Sequence, residues 1–252
     1  MNSGLVITFL VGFFILIGSL IVFRTKNNDR IVNFSISIAL GVMACLALIE
    51  LLPESYSSFA EEFDIGRSIV LVVASALIGF GLLKVLDHFI PDHDKDNNSK
   101  KEKEENLYHI GIVSSVALVI HNIIEGMALY TSCLSDFKMG LLISLGIGLH
   151  NIPLGMIITS TFYKGNHSKQ KTLLWIIGIS LSTFIGGLFI FLLGETIMTS
   201  NVLGILLGIT FGMIVYITLF ELIPHIKELK NKRDSFIGIL CGIVLLLVSQ
   251  LF

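Results

Sequence analysis

His121 and Glu125 stand four residues apart in His121-Asn122-Ile123-Ile124-Glu125-Gly126, and a second His-Asn pair opens His150-Asn151-Ile152-Pro153-Leu154. On a helix, side chains four apart share a face, so His121 and Glu125 stack while Asn122 points about 100° away. That is a chelating arrangement. Two imidazoles and a carboxylate form a borderline-soft donor set suited to Zn²⁺, with Fe²⁺ and Mn²⁺ as further candidates. The alternative is that His121 and Glu125 hydrogen-bond to each other and only fasten helices together. The second His-Asn favours metal, because an ionisable residue deep in an apolar segment costs about 2.5–3.5 kcal/mol unless it is paired or metal-bound.

Other residues offer weaker signals. Pro153 lacks a donor and frees the carbonyl of Leu149, which suits an ion site beside His150 or an ordinary proline bend. Glu50 and Glu221 each lie one turn before a proline, at Pro53 and Pro224, and read as ligands at the two mouths of a pathway or as snorkelling carboxylates. Met43 offers a thioether, although such a residue is more often packing. Asp87-His88 and Asp92-His93-Asp94 read as a solvated group beside a loop, and His109, His167 and His225 as histidines at helix ends that need no special account. Cys45, Cys133 and Cys241 lack C-x-x-C spacing and read as apolar packers.

The elements that must hold these groups are membrane spans. The chain has 252 residues, is 54% hydrophobic and 14% charged, and has a mean hydropathy of +0.86, which no ordinary soluble domain matches. Its net charge of -2 gives no basic excess to recruit nucleic acid. A span needs about 20 mainly apolar residues, and eight such runs are expected in a single transmembrane domain over 1–252: Gly4 to Phe23, Asn33 to Leu52, Gly66 to Ile90, Leu107 to Cys133, Met139 to Tyr163, Thr172 to Leu193, Val202 to Ile226 and Ser235 to Leu251. The first lacks a basic n-region and a small-residue exit, so it reads as a retained span rather than a signal peptide. Residues 91–106, from Pro91 to Asn106, read as a flexible loop of mixed charge.

Lysine and arginine fall on alternate connections. Arg24, Lys26 and Arg30, then Lys95 to Lys103, Lys164 to Lys171 and Lys227 to Arg233 lie on one side, against Arg67 and Lys138 on the other. Basic loops stay inside, which predicts a multi-pass plasma-membrane protein with both termini outside the cytoplasm. Span 2 repeats in span 7, as Gly41-Val42-Met43 with Glu50-Leu51-Leu52-Pro53 against Gly212-Met213 with Glu221-Leu222-Ile223-Pro224. Spans 4 and 5 share His-Asn-Ile-x-x-Gly-Met. These pairs run in opposite directions, so the expected fold is an all-α bundle with a 3+2+3 inverted repeat and its site near the midplane.

Over nearly its whole length the chain resembles the ZIP (Zrt/Irt-like) family of divalent-metal transporters, bacterial type. His121-Asn122-x-x-Glu125-Gly126 matches the family's His-Asn-x-x-Glu-Gly, and His150-Asn151-Ile152-Pro153 matches its span 5 motif. The resemblance implies His121, Asn122, Glu125, His150 and Asn151 as transport-site ligands with Met43 or Glu50 nearby, Zn²⁺ as substrate with Fe²⁺, Mn²⁺ or Cd²⁺ as others, and a homodimer. Two positions depart from it. Where many bacterial members carry glutamates in spans 5 and 6, this chain has Leu154 and, by approximate alignment, Thr183 in Ser182-Thr183-Phe184.

One main metal ion is therefore expected, and one carboxylate leaves about one uncompensated positive charge at low dielectric. A second anion, from Glu50, Glu221 or solution, should complete the site. The expected function is uptake of Zn²⁺ toward the cytoplasm by alternating access, with a membrane-embedded zinc hydrolase as the alternative, Glu125 serving as base.

Overall fold

The computed structural model describes residues 3–24, 29–89, 100–135, 137–165, 168–194, 197, 199–229 and 231–251. Every long element among them is helical: α1 (Ser3–Arg24), α2 (Asp29–Cys45), α3 (Leu52–Ala60), α4 (Ile65–Phe89), α5 (Lys100–Ser135), α6 (Phe137–Lys164), α7 (Lys169–Leu193), α8 (Ser200–Tyr216), α9 (Ile223–Glu228) and α10 (Lys232–Ser249). Seven helical runs are long and apolar enough to cross a bilayer: Ser3–Arg24, Asn33–Ala60, Ile65–His88, Leu107–Leu134, Gly140–Tyr163, Lys169–Leu193 and Ser200–Glu228. The chain is an all-α membrane protein. The expected eighth span falls on α10, which has 18 residues and carries Lys232, Arg233 and Asp234 in its first turn. Its uncharged part is shorter than the others.

Two π-helical turns, Leu46–Leu51 and Ile217–Leu222, join α2 to α3 and α8 to α9. Each carries a glutamate, Glu50 or Glu221, and each is followed two residues later by a proline. A proline has no N–H for the carbonyl four residues back and its ring crowds that oxygen, so the ladder slips to the fifth residue and the helix swells by one position. By contrast, Pro153 lies inside the uninterrupted helix α6.

The helices pack as two groups. Helices α1, α5, α6 and α7 all contact one another; in the second group α4 packs on α8, α3 on both, and α2 with its π-helical turn on α8 and α10, and a seam of contacts, of α2 and α10 with α6 and of α5 with α8, joins the groups. Within the groups the broadest contacts are α1 with α6, α5 with α7, α4 with α8 and α2 with α10. All four are closed by glycines in reciprocal positions. A Cβ on Gly126 would meet Thr183 O at 1.9 Å, and one on Gly186 would meet Ile123 O at 1.9 Å. The same exchange holds for Gly18 and Gly155, Gly79 and Gly212, and Gly41 and Gly242, all with a partner carbonyl near 2 Å. In lipid no hydrophobic force draws helices together, so backbones that close in through small residues gain dispersion contacts instead.

The first helix after the 90–99 connection begins at Lys100, seven residues before the expected start at Leu107, so residues 100–106 are helix and not loop. Asp92, His93, Asp94 and His167 lie outside the described residues.

Candidate metal centre

Helices α5 and α6 are neighbours, and their contact brings the two His-Asn motifs together. Glu125 Oε1 lies 2.9 Å from His150 Nε2 and 3.6 Å from His121 Nε2. The ligand atoms of all three residues fall within 4.8 Å of one another. His121, Glu125 and His150 are buried, with relative exposures of 3%, 9% and 1%. Gly126, next to Glu125, is what allows α7 to press against this stretch of α5.

The donors fit a tetrahedral ion. Ligands at about 2.0–2.1 Å from such an ion stand roughly 3.3–3.4 Å from each other, and the observed 2.9 and 3.6 Å bracket that separation. His121 Nε2 and Glu125 Oε2 are fully buried without a hydrogen-bond partner. Leaving both unpaired would cost a helix glue more than it gains, whereas a cation uses them.

Asn122 and Asn151 are fully buried beside the triad. The Asn122 amide donates a long bond, 3.4 Å, to the Ile179 carbonyl of α7, and its Oδ1 makes none. Asn151 sits close enough to Glu125 to act on its charge, though without a hydrogen bond of good geometry. Met43 lies on the seam, where it shares with His121, Leu118, Leu154 and Ile214 a cavity with room for about one water. Leu154, which faces this cavity, is completely buried and apolar. Thr183 is also completely buried and stands against Gly126. No described carboxylate joins Glu125 in the triad.

Glu50 is half-buried outside the triad, where Gln250 Nε2 donates to its Oε2 at 2.5 Å, and its charge acts on His150 and Glu125. The structure does not bring Glu221 to this centre. It lies instead with Asp87 and His109, whose Nε2 is 2.5 Å from Asp87 Oδ1 and 3.8 Å from Glu221 Oε1. Asp87, which the sequence alone reads as solvated, and His109, which it gives no special account, are thus partners. They are separated by 22 positions in sequence, and no local spacing could have joined them. His225 lies in α9, is partly buried, and joins neither cluster.

Residues 91–250 match the family model described as ZIP Zinc transporter. The chain belongs to the ZIP family. It is accordingly a divalent-metal transporter rather than an enzyme, which removes the hydrolase alternative. Among relatives of this ZIP protein, the zinc transporter ZupT of Streptococcus mutans is 29% identical over 255 residues, covering 99% of this chain and 97% of its own. The zinc transporter ZupT of Chlorobium chlorochromatii is 27% identical over 93% of this chain and 91% of its own. The zinc transporter ZupT of Escherichia coli strain IAI39 is 28% identical over 96% and 93%.

Proposed function

We propose that this ZIP protein takes up Zn²⁺ toward the cytoplasm through one main ion site built by His121, Glu125 and His150. The observation that carries the reading is the buried triad with its unpaired Nε2 and carboxylate oxygen. Asn122 and Asn151 orient or complete that site. Met43 contacts the ion as it crosses the seam, and Glu50 receives it at the outer mouth. Glu221, distant from the triad, serves the opposite end. The names of the relatives support zinc. Fe²⁺, Mn²⁺ and Cd²⁺ are the competitors that the same donors would accept.

The architecture that we infer is a single transmembrane domain of eight spans with a 3+2+3 inverted repeat, α10 being the last. Three features support it. Exchanging α1 with α7, α2 with α8, α4 with α10 and α5 with α6 turns each of the four broad helix contacts into another of them. Gly126 and Gly155 occupy the fifth place after His121 and His150, and both close a helix crossing. The π-helical turns match as well. The basic connections favour outside termini in a plasma membrane, and the family resemblance adds a homodimer.

A divalent ion drawn in by an inside-negative potential gains about 4.6 kcal/mol per 100 mV if nothing compensates its charge. Uptake of Zn²⁺ into proteoliposomes under such a potential should be abolished by His121→Ala and by Glu125→Ala in protein that remains folded. Uptake equal to wild type in both variants would refute the assignment. Running Fe²⁺, Mn²⁺ and Cd²⁺ in parallel gives the selectivity.

A further inference from the structure

Gln250, just past the end of α10, donates from Nε2 to Glu50 Oε2 at 2.5 Å, across 200 positions of sequence. The register that pairs them is set lower down. Arg30 with Asp234, Ser37 with Gly238 and Gly41 with Gly242 succeed one another along the contact, so α2 and α10 run in parallel. Glu50 stands nine residues after Gly41, and Gln250 stands eight after Gly242. The π-helical turn Leu46–Leu51 takes up the additional residue. In an unbroken α-helix Ile49 would stand level with Gln250 instead. The same register recurs on α4 and α8, where Asp87 is eight residues after Gly79 and Glu221 nine after Gly212. There too the paired side chains meet, with carboxylate oxygens within 4.8 Å of each other.

The end of α10 is anchored close to the triad. Leu246 and Ser249 are buried, and the Ser249 hydroxyl donates to the Leu246 carbonyl at 2.7 Å. A Cβ on Gly146 of α6 would meet the Ser249 carbonyl oxygen at 2.7 Å. Gly146 precedes His150 by one turn, about 6 Å along α6 at 1.5 Å per residue. The residue next to Gln250 therefore sits one turn from a metal ligand, and the charge of Glu50 still reaches His150 and Glu125. Glu50 is half-buried and Gln250 exposed, so the pair stands between the surface and the triad.

We propose that Gln250 is a positioning residue for metal entry, which holds the Glu50 carboxylate at the approach to the triad without cancelling its charge. This rests on the reading that Glu50 receives the ion at the outer mouth. An amide donates a hydrogen bond but carries no charge and does not titrate. Glu50 thus remains an anion that draws a divalent ion, whereas a lysine at position 250 would neutralise it. Tying down one oxygen also removes rotamer freedom from a long side chain before the ion arrives, so less entropy is lost in the encounter. Among the described residues none bonds Glu50 Oε1, which is the oxygen left to meet the ion.

The test measures initial Zn²⁺ uptake into proteoliposomes over a range of zinc concentrations. Gln250→Met keeps the side-chain length and loses the donor, and it should raise KM several-fold while the maximal rate changes less. Gln250→Lys keeps a donor but adds a positive charge, and it should raise KM further at low salt than at high salt. Glu50→Gln should raise KM by itself, and adding Gln250→Met to it should change nothing more, because the carboxylate to be positioned is gone. A wild-type KM in Gln250→Met overturns the proposal, and a raised KM in Glu50→Gln would then leave the entry role of Glu50 standing. Equal effects of Gln250→Met with and without Glu50, or a fall in maximal rate alone, reveal a merely structural end of α10 and overturn it as well. A wild-type KM in Glu50→Gln overturns both the positioning role and the entry role.

Discussion

Glu125 Oε1 meets His150 Nε2 at 2.9 Å across the α5–α6 contact, although the two residues lie 25 positions apart on different helices. The carboxylate is the one anion of the triad, so Glu125→Gln should cost more than the loss of a single ligand. Removing one partner of a buried charged pair costs about 3–5 kcal/mol, which corresponds to a drop in zinc affinity of roughly a hundredfold or more. Calorimetric titration of Zn²⁺ into the variant and into wild type checks this.

Leu154 lines the same cavity as His121 and is completely buried. Replacing it by glutamate puts a second anion where the charge of a bound ion is only half compensated. Leu154→Glu should tighten zinc binding at the triad and slow release, and without metal it should destabilise the fold, because a lone buried carboxylate lacks a partner. Thermal unfolding with and without Zn²⁺ gives the readout, since a ligand that binds only the folded state raises the midpoint. The zinc-dependent rise should exceed that of wild type.

Outside the spans, Arg30 donates to both Asp234 oxygens, at 2.6 and 3.2 Å, and ties the start of α2 to the start of α10. This hydrogen bond, with the attraction of the guanidinium, holds the Asp234 carboxyl below the usual carboxylate range and pushes Arg30 up in return. A depressed carboxylate stabilises the fold fully above its unfolded value of about 4, and that stabilisation fades as pH falls through the lower folded value. Asp234→Asn should therefore flatten the acid limb of the thermal midpoint. The effect should be small and should fade in high salt, since Arg30 faces solvent and Asp234 is partly exposed.

The triad could be read from the sequence because two local constraints fix it. The i, i+4 spacing places His121 over Glu125, and the repeated motif on the next span supplies His150. The span pattern was readable for a similar reason, since apolar runs of the required length leave few ways to cross a bilayer. Where charge met apolar sequence the reading was less sure. Lys100 to Asn106 has no apolar face to mark a helix, and the first turn of α10 shortens its apolar run. The cluster of Asp87, His109 and Glu221 was hidden because each residue, taken alone at a span end, has solvation as a sufficient account. Only packing of α4, α5 and α8 unites them. The π-helical turns were announced by the prolines, yet a proline near a span end is equally at home in a plain first turn.

The reciprocal glycines make the strictest claim about packing. A methyl on Gly126 would stand 1.9 Å from Thr183 O and 2.8 Å from its carbon, contacts that only a separation of α5 from α7 can relieve. Those two backbones cannot move apart without also opening the Gly186 contact with Ile123 and shifting Glu125, one residue away. Gly126→Ala and Gly186→Ala should each destabilise the protein by about 1–3 kcal/mol, the usual cost of overpacking, and Gly126→Ala should also weaken zinc binding. Gly178, on the same helix as Gly186, has nothing within 4 Å of where its Cβ would be. There the added methyl meets only lipid and helix propensity decides, so Gly178→Ala should be neutral or stabilising by up to about 1 kcal/mol. Thermal unfolding of the three variants in one detergent separates these outcomes. A Gly126→Ala protein as stable as Gly178→Ala would mean that the α5–α7 crossing is not set by contact between backbones.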